Sequence, residues 1–316
     1  MRVAYEGRGS VQAQMRMTRL FAFPFGVGRH LVWVELTAVE IRRAVRAALA
    51  EDLGRGDATT LATVPKNARS VALMRAREPL VVAGLDFGAM AFQALSPQVV
   101  IRKLVRDGQR VKAGQTLLEF SGPSRALLSA ERVALNFVQR LSGVASATSQ
   151  FVNAVKGTRA RILDTRKTTP GWRRFEKYAV ACGGGKNHRV GLFDMILIKD
   201  NHLVALQNEE PNAIAAAVAR ARRAFPKLKV EVEADTLEQV AQAAEAGADI
   251  ILLDNMTPGE LRQAVKIVSG RAQTEASGGV NLKTVRVIAM SGVDFISVGA
   301  ITHSARAVDI GLDFRN

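Results

Sequence analysis

From about residue 161 onward the sequence predicts a parallel α/β barrel, preceded by a smaller β-rich domain that carries its own helices. Two observations predict this. Short apolar runs near 161–165, 194–199, 229–234, 250–254, 273–277 and 295–299 alternate with helical patterns near 171–182, 210–225, 236–247, 257–269 and 281–291. Charged or glycine-rich residues follow each apolar run at once, where the carboxyl ends of parallel strands place ligand sites. The βα units number fewer than the eight of a closed barrel.

The first segment stands apart. Residues 1–34 hold five arginines and one glutamate and lack helical periodicity. Arg2, Arg8, Arg16 and Arg19 interrupt any apolar core, so a signal peptide fits poorly. The expectation is a disordered extension, equally a real arm or a stretch upstream of the native start. Order begins at Thr37, where Thr37-x-x-Glu40 is a capping box and Ile41, Val45, Ala48 and Leu49 share a helical face. That helix runs into Glu51-Asp52-Leu53-Gly54-Arg55-Gly56-Asp57, whose glycines allow a positive-φ turn.

Residues 69–120 read as β-rich, with strands at Val71–Met74, Leu80–Ala83, Val99–Val105 and Thr116–Phe120 and a turn at Asp107-Gly108. A lipoyl-type domain is set aside because no lysine stands at the tip of a tight hairpin. Residues 124–150 predict one long helix, with Leu127, Leu128, Val133, Leu135, Val138 and Leu141 as its apolar positions. Further on, Thr236-x-x-Gln239 and Thr257-Pro258-x-Glu260 are capping boxes, and Asn281 is a cap candidate for the last helix.

Chemistry concentrates in residues 161–202. Asp164-Thr165-Arg166-Lys167 follows the first apolar run and Lys199-Asp200-Asn201-His202 follows the second. Between them lies Gly183-Gly184-Gly185-Lys186-Asn187-His188-Arg189. Six cationic or titratable side chains, Arg166, Lys167, Lys186, His188, Arg189 and Lys199, thus point toward one pocket, and such a cluster repels itself unless an anion sits in it. A solvated basic face would place them along a helix instead. The later strands end in Glu231-Val232-Glu233, Asp254-Asn255, Glu275-Ala276-Ser277-Gly278-Gly279 and Ser297-Val298-Gly299-Ala300. Of the two glutamates that share a side of one strand, Glu233 is nearer the carboxyl end and is the better site candidate. Glycines before helices expose backbone N–H groups, which suits phosphate.

Composition narrows the class. The net charge is +15 over 316 residues, which points to anionic partners. Aromatics are only 5%, too sparse for an obvious base-stacking platform, and no nucleic-acid-binding motif is present, so no specific nucleic acid is expected. No apolar run approaches the roughly 20 residues of a membrane span. The single cysteine, Cys182, excludes an internal disulfide, fits a reducing, cytoplasmic compartment, and has no evident partner base. Gly185-Lys186-Asn187 lacks the Ser or Thr of a P-loop, and the spacing of His188, His202 and His303 suits no zinc site.

The blocks Thr165–Thr168, Pro170-Gly171, Glu176–Val180, Gly183–Arg189 and Leu197–His202, in this order, closely resemble the quinolinate phosphoribosyltransferases. The loop 51–59 and the segment Glu131-Arg132-x-x-Leu135-Asn136-Phe137 resemble the same family, from about residue 36 onward. Trp172 and Phe175 stand where the family usually has leucines. The resemblance implies an incomplete barrel over 134–302, an N-terminal α/β sandwich over 35–133 with the tail 303–316 packed on it, and closure by a partner subunit. This is the type II phosphoribosyltransferase fold. It implies transfer of phosphoribosyl from 5-phosphoribosyl-1-pyrophosphate (PRPP) to quinolinate, giving nicotinate mononucleotide, pyrophosphate and carbon dioxide in NAD biosynthesis. It further implies a homodimer, or a hexamer, with shared active sites.

By the same resemblance Arg166, His188, Arg189, Lys199 and the partner copy's Arg132 would hold the quinolinate carboxylates, with Thr165 alongside. Lys167 would sit between quinolinate and pyrophosphate. Glu233 and Asp254, named with Lys167 as catalytic, would face the ribose and the Mg²⁺ that accompanies PRPP. Ser277, Gly278 and Gly279 with Val298, Gly299 and Ala300 would take the 5-phosphate. A homologue of other substrate, of the kind associated with molybdenum transport, shares part of the pattern, but the complete Lys199–His202 block favours quinolinate. A basic nucleic-acid-binding protein is the remaining alternative.

Overall fold

Why the chain folds into two layers of different character follows from where its apolar runs find partners. A computed structural model describes residues 34–315. The expectation for 1–34 lies outside these residues but for Val34, which is buried. Helix α1 (Ala38–Leu53) starts at Thr37 with the predicted capping box and buries Ile41, Val45 and Leu49. The turn after it uses Gly54 and Gly56 at φ of 50° and 134° before α2 (Ala58–Thr63), whose N-cap is Asp57.

Strand β1 (Arg69–Ala76), β2 (Leu80–Val81), helix α3 (Leu85–Leu95), β3 (Val100–Lys103), β4 (Arg110–Val111) and β5 (Thr116–Pro123) follow. Helix α3 lies between the strand candidates of this β-rich stretch and is not among the helices expected from the sequence. Its buried residues surround most of its circumference and its N-cap, Gly84, makes no side-chain cap bond, so neither amphipathic period nor capping residue marked it. The 31-residue α4 (Ser124–Ala154) then runs unbroken through position 133, the expected domain boundary.

The rest is β6 (Arg161–Leu163), α5 (Arg173–Cys182), β7 (Ile196–Ile198), α6 (Asp200–Val204), α7 (Ala213–Ala224), β8 (Val230–Ala234), α8 (Leu237–Glu245), β9 (Ile250–Asp254), α9 (Pro258–Val268), β10 (Gln273–Ser277), α10 (Val285–Ala289), β11 (Phe295–Ser297), α11 (Ala300–His303) and β12 (Ile310–Arg315). Six of these strands form one parallel sheet in the order β6-β11-β10-β9-β8-β7. The two edges, β6 and β7, do not pair with each other among the described residues, so the barrel is incomplete. The capping boxes at Thr236 and Thr257 are formed. Asn281 does not cap α10: its carboxamide accepts from the N–H groups of Lys283 and Thr284 in the preceding turn, and Thr284 is the N-cap residue.

The N-terminal sheet is antiparallel, in the order β12-β1-β5-β3. The C-terminal strand β12 thus returns to the first domain. Gly143 in α4 makes that return possible: a Cβ there would lie 2.0 Å from the carbonyl oxygen of Arg306. Aromatic packing joins α3 and α4 to α5, with Phe137 stacked on Phe87 at 4.9 Å and on Trp172 at 5.0 Å. Phe175 meets Phe87 edge-on, so the two residues that replace leucines fill this junction.

Candidate active site

The carboxyl ends of the six parallel strands present Asp164, Lys199, Glu233, Asp254, Ser277 and Val298 in or just after them. At the end of β6, Asp164 is fully buried and its carboxylate organises the whole basic stretch. One oxygen accepts from Lys177 Nζ and from the His188 N–H at 2.8 Å; the other accepts from Asn187 Nδ2 at 2.7 Å. Lys177, also fully buried, donates in addition to the His188 carbonyl at 2.9 Å. Burial pushes the Asp164 carboxyl up and the Lys177 ammonium down, and their mutual attraction opposes both shifts. Asp164, Lys177 and Asn187 are not among the predicted site residues; the signal they offer is a polar or charged side chain inside buried surroundings.

Gly183 and Gly185 allow the loop to pass against α4 and α5. A Cβ on Gly183 would lie 2.4 Å from the Ala145 carbonyl oxygen, and one on Gly185 2.7 Å from Thr148 Cγ2. The loop delivers Arg189, which is buried, donates to the Met195 carbonyl at 3.2 Å, and leaves Nε without a partner. Arg166 Nε is likewise buried and unpartnered. Burial lowers the Arg189 pKa and the Arg166 charge adds to the lowering, so the two guanidiniums face each other's field. Two unpaired cationic donors close together are a site for an anion.

Lys199 is paired with Glu233 across β7 and β8. Lys167 extends over the phosphate-type loop: a Cβ on Gly299 would meet Lys167 Cδ at 3.2 Å. The Thr165 hydroxyl accepts the Lys167 N–H at 3.0 Å. Asp254 accepts from Asn255 Nδ2 at 2.6 Å, and Asn255 in turn donates its N–H to the Ser277 carbonyl at 3.0 Å. Gly278 has φ of 94°, and a Cβ there would lie 2.1 Å from Asn255 Oδ1, so this loop requires glycine. Val298 donates its N–H to Leu163 at 2.9 Å, which ties the 298–300 loop to β6.

His188 differs from its expected role. Its Nδ1 accepts the Arg189 N–H at 2.8 Å, and its Nε2 lies 3.0 Å from Glu231 and 3.6 Å from Glu275. It therefore lies behind Arg189 and presents no free ring nitrogen. Both glutamates are fully buried, and none of their four oxygens has an aligned hydrogen bond. Burial pulls the His188 ring pKa down, and Glu275 and Glu231 push it up. The 2.8 Å bond into Nδ1 opposes a second ring proton and places the proton on Nε2. These three residues are the one group of three metal-type side chains among the described residues, with ligand atoms within 4.8 Å. A protonated Nε2 cannot ligate, and a metal-bound histidine donates rather than accepts through its other nitrogen, so the trio does not fit a metal.

Asp254, linked through Asn255 to the 277–279 loop, and Glu233, on the adjoining strand and paired with Lys199, offer two hard oxygen donors. They are too few for a protein cage and suit an ion carried in by substrate oxygens. Arg132 stands apart from all of these. It lines a cavity of about 350 Å³ with Asp52, Leu53, Gly56, Asp57, Thr59 and Ser129, and no other predicted site residue lines that cavity. Cys182 is half-buried, and its surroundings push the thiol pKa up, away from the thiolate.

The described chain resembles known proteins over nearly its whole length. Residues 57–142 match the Quinolinate phosphoribosyl transferase, N-terminal domain, and residues 144–313 match the C-terminal domain of that name. A "Nicotinate-nucleotide pyrophosphorylase [carboxylating]" of Mycobacterium leprae is 45% identical over 278 residues, covering 86% of this chain and 96% of its own. The chloroplastic protein of that name from Arabidopsis thaliana is 42% identical, covering 86% and 82%. Among solved structures, the nicotinate-nucleotide pyrophosphorylase from Francisella tularensis superposes with a TM-score of 0.84 at 39% identity, covering 89% of this chain and 98% of its own.

Burial and the neighbouring Glu231 raise Glu275 to about 8, against an ordinary value of 4.5. The folded state therefore holds a proton that the unfolded chain releases above about pH 4.5, so this group's contribution to stability is lost as pH rises from about 5 to 8. Glu275→Gln should flatten that decline, an effect on the order of a few kcal/mol across the window. Urea unfolding at stepped pH checks it; an unchanged slope in the variant would mean that Glu275 is ionised in the folded protein.

Proposed function

The chain belongs to the quinolinate phosphoribosyl transferase family, and from that premise we infer how its own residues serve the reaction. It transfers phosphoribosyl from PRPP to quinolinate, as a carboxylating nicotinate-nucleotide pyrophosphorylase of NAD biosynthesis. The observation that carries this reading is the pair of buried, unpartnered guanidinium nitrogens on Arg166 and Arg189, whose charges act on each other. A dianionic pyridine dicarboxylate supplies the charge this cradle lacks. Arginine forks read carboxylates in two contacts, and Lys199 adds a point charge poised against Glu233. His188 contributes by holding the Arg189 backbone through Nδ1.

The pyridine nitrogen attacks the anomeric carbon, the bond to pyrophosphate breaks, and no protein nucleophile is needed. Lys167, lying over Gly299, is placed to meet the charge that develops on the departing pyrophosphate. Glu233 and Asp254 face the ribose and stabilise positive charge at the anomeric carbon. The same two carboxylates would hold Mg²⁺, which neutralises the pyrophosphate when bound. Ser277–Gly279 and Val298–Ala300 receive the 5-phosphate on backbone N–H groups. The carboxylate beside the ring nitrogen leaves as CO₂; its electron pair stays on the ring carbon, which takes a proton.

Among the described residues no strand joins β6 to β7, and Arg132 lies in a cleft of its own. We propose that a second copy closes the barrel and inserts its Arg132 over the cradle, giving a homodimer with two shared sites. No helix among the described residues is long and apolar enough to cross a membrane, and a cytoplasmic enzyme is the proposed setting.

Purified protein given quinolinate, PRPP and Mg²⁺ should form nicotinate mononucleotide, pyrophosphate and CO₂ in equal amounts. Nicotinate, with one carboxylate fewer, should be used at least about a hundredfold less efficiently, since an unpaired buried cation costs roughly a few kcal/mol. Comparable kcat/KM for both acids would overturn this assignment.

Mixing Arg132→Ala with Lys167→Ala chains, each nearly inactive alone, tests the sharing. Random exchange makes about half the dimers mixed, each with one intact site, so about a quarter of wild-type activity should return. Exchange without recovered activity would place Arg132 in its own chain's site.

A further inference from the structure

The loop that carries Arg166 and Lys167 is tied down by residues the reaction itself does not use. Glu176, in α5, is fully buried. Its Oε1 accepts from Arg140 at 2.7 Å and from the Thr169 hydroxyl at 2.8 Å, and its Oε2 accepts the Thr169 N–H at 3.0 Å. Arg140, in α4, spreads the rest of its guanidinium over the carbonyls of Thr302, at 2.7 Å, and Ala305. Thr302, in α11, is fully buried, and its hydroxyl lies 2.7 Å from the Lys167 carbonyl and 3.0 Å from the Gly299 carbonyl. Lys167 then lies across Gly299.

These contacts close a circuit. It runs from the 165–170 loop through Thr169 to Glu176, across to Arg140, on to Thr302, and back to Lys167. The circuit links two loops from neighbouring strands, β6 and β11. One loop carries the cations of the acid half of the pocket; the other is the phosphate-type loop. A buried ion pair is a poor device for stability, because desolvation offsets its attraction. A guanidinium fork that reads one carboxylate and two carbonyls is instead a good device for direction.

We propose that Arg140, Glu176 and Thr302 are positioning residues that fix the spacing between the 165–170 and 298–300 loops, and with it the alignment of the two bound substrates. The proposal rests on the phosphoribosyl transfer described above. A misplacement of about 1 Å between reacting groups can cost on the order of a hundredfold in rate. Loss of the circuit should therefore act on kcat, while each substrate still meets its own binding groups.

Thr302→Val keeps the branched shape and removes the hydroxyl; Thr302→Ser keeps the hydroxyl. The measurements are kcat and KM for both substrates, quinolinate binding without PRPP, and Tm. We expect Thr302→Val to lose about tenfold or more in kcat, with quinolinate affinity nearly unchanged, and Thr302→Ser to restore kcat. Should Thr302→Val not fold, Arg140→Lys decides, since it keeps a charge for Glu176 and drops the fork; the same kcat loss is expected. A deciding variant with wild-type kcat, or a Thr302→Val loss that serine does not restore, overturns the proposal. A wild-type protein without turnover would overturn the functional reading and this inference with it. An active wild type matched by the deciding variant would overturn this inference alone.

Discussion

The buried carboxylate of Asp164 is the constraint on which the site depends. Its two oxygens draw together the end of β6, the side chain of Lys177 in α5, and the Asn187–His188 turn. Those are the segments that bring Arg166, Lys167 and Arg189 to one place. A carboxylate without water must have such donors, and a lysine without water must have such acceptors. Because each partner's alternative is an isolated buried charge, the arrangement tolerates little variation. The loop geometry is therefore set from beneath, before any ligand arrives.

Above that layer the charges no longer balance. Arg166 and Arg189 keep buried donors without partners, whereas Lys199 already has Glu233. Beneath Arg189, Glu231 and Glu275 flank the ring of His188, whose Nε2 lies 3.0 and 3.6 Å from them. A small dianion between the two guanidiniums would supply the balance that the protein leaves open.

Much of this was legible in the sequence. Alternating apolar runs and charged strand ends gave all six parallel strands, and the residues at Thr236 and Thr257 marked their helices because capping is a local interaction. The basic loops stand out in the sequence as the candidate centre of the chemistry because their cations follow buried strands. Other features rest on distant partners. Strand β12 pairs with β1 over 230 residues earlier in the chain, with the register Val71 to Arg315, and nothing local announces it. The His188–Glu231–Glu275 trio joins three elements, so the sequence suggested Glu233 from its place near the strand end but not the inward use of its neighbour two residues before. Helix α3 escaped because burial on most sides erased its period.

The central claim is that a cationic cradle at the ends of β6 and β7 takes a dicarboxylate between Arg166, Arg189 and Lys199. Crystals of the protein soaked with quinolinate test it most directly. The account predicts ligand density at the β6 and β7 ends, with carboxylate oxygens within hydrogen-bond distance of the Arg166 and Arg189 guanidiniums and the ring nitrogen turned toward the 277–279 and 298–300 loops. Quinolinate bound elsewhere, or bound there with both guanidiniums unengaged, would contradict it.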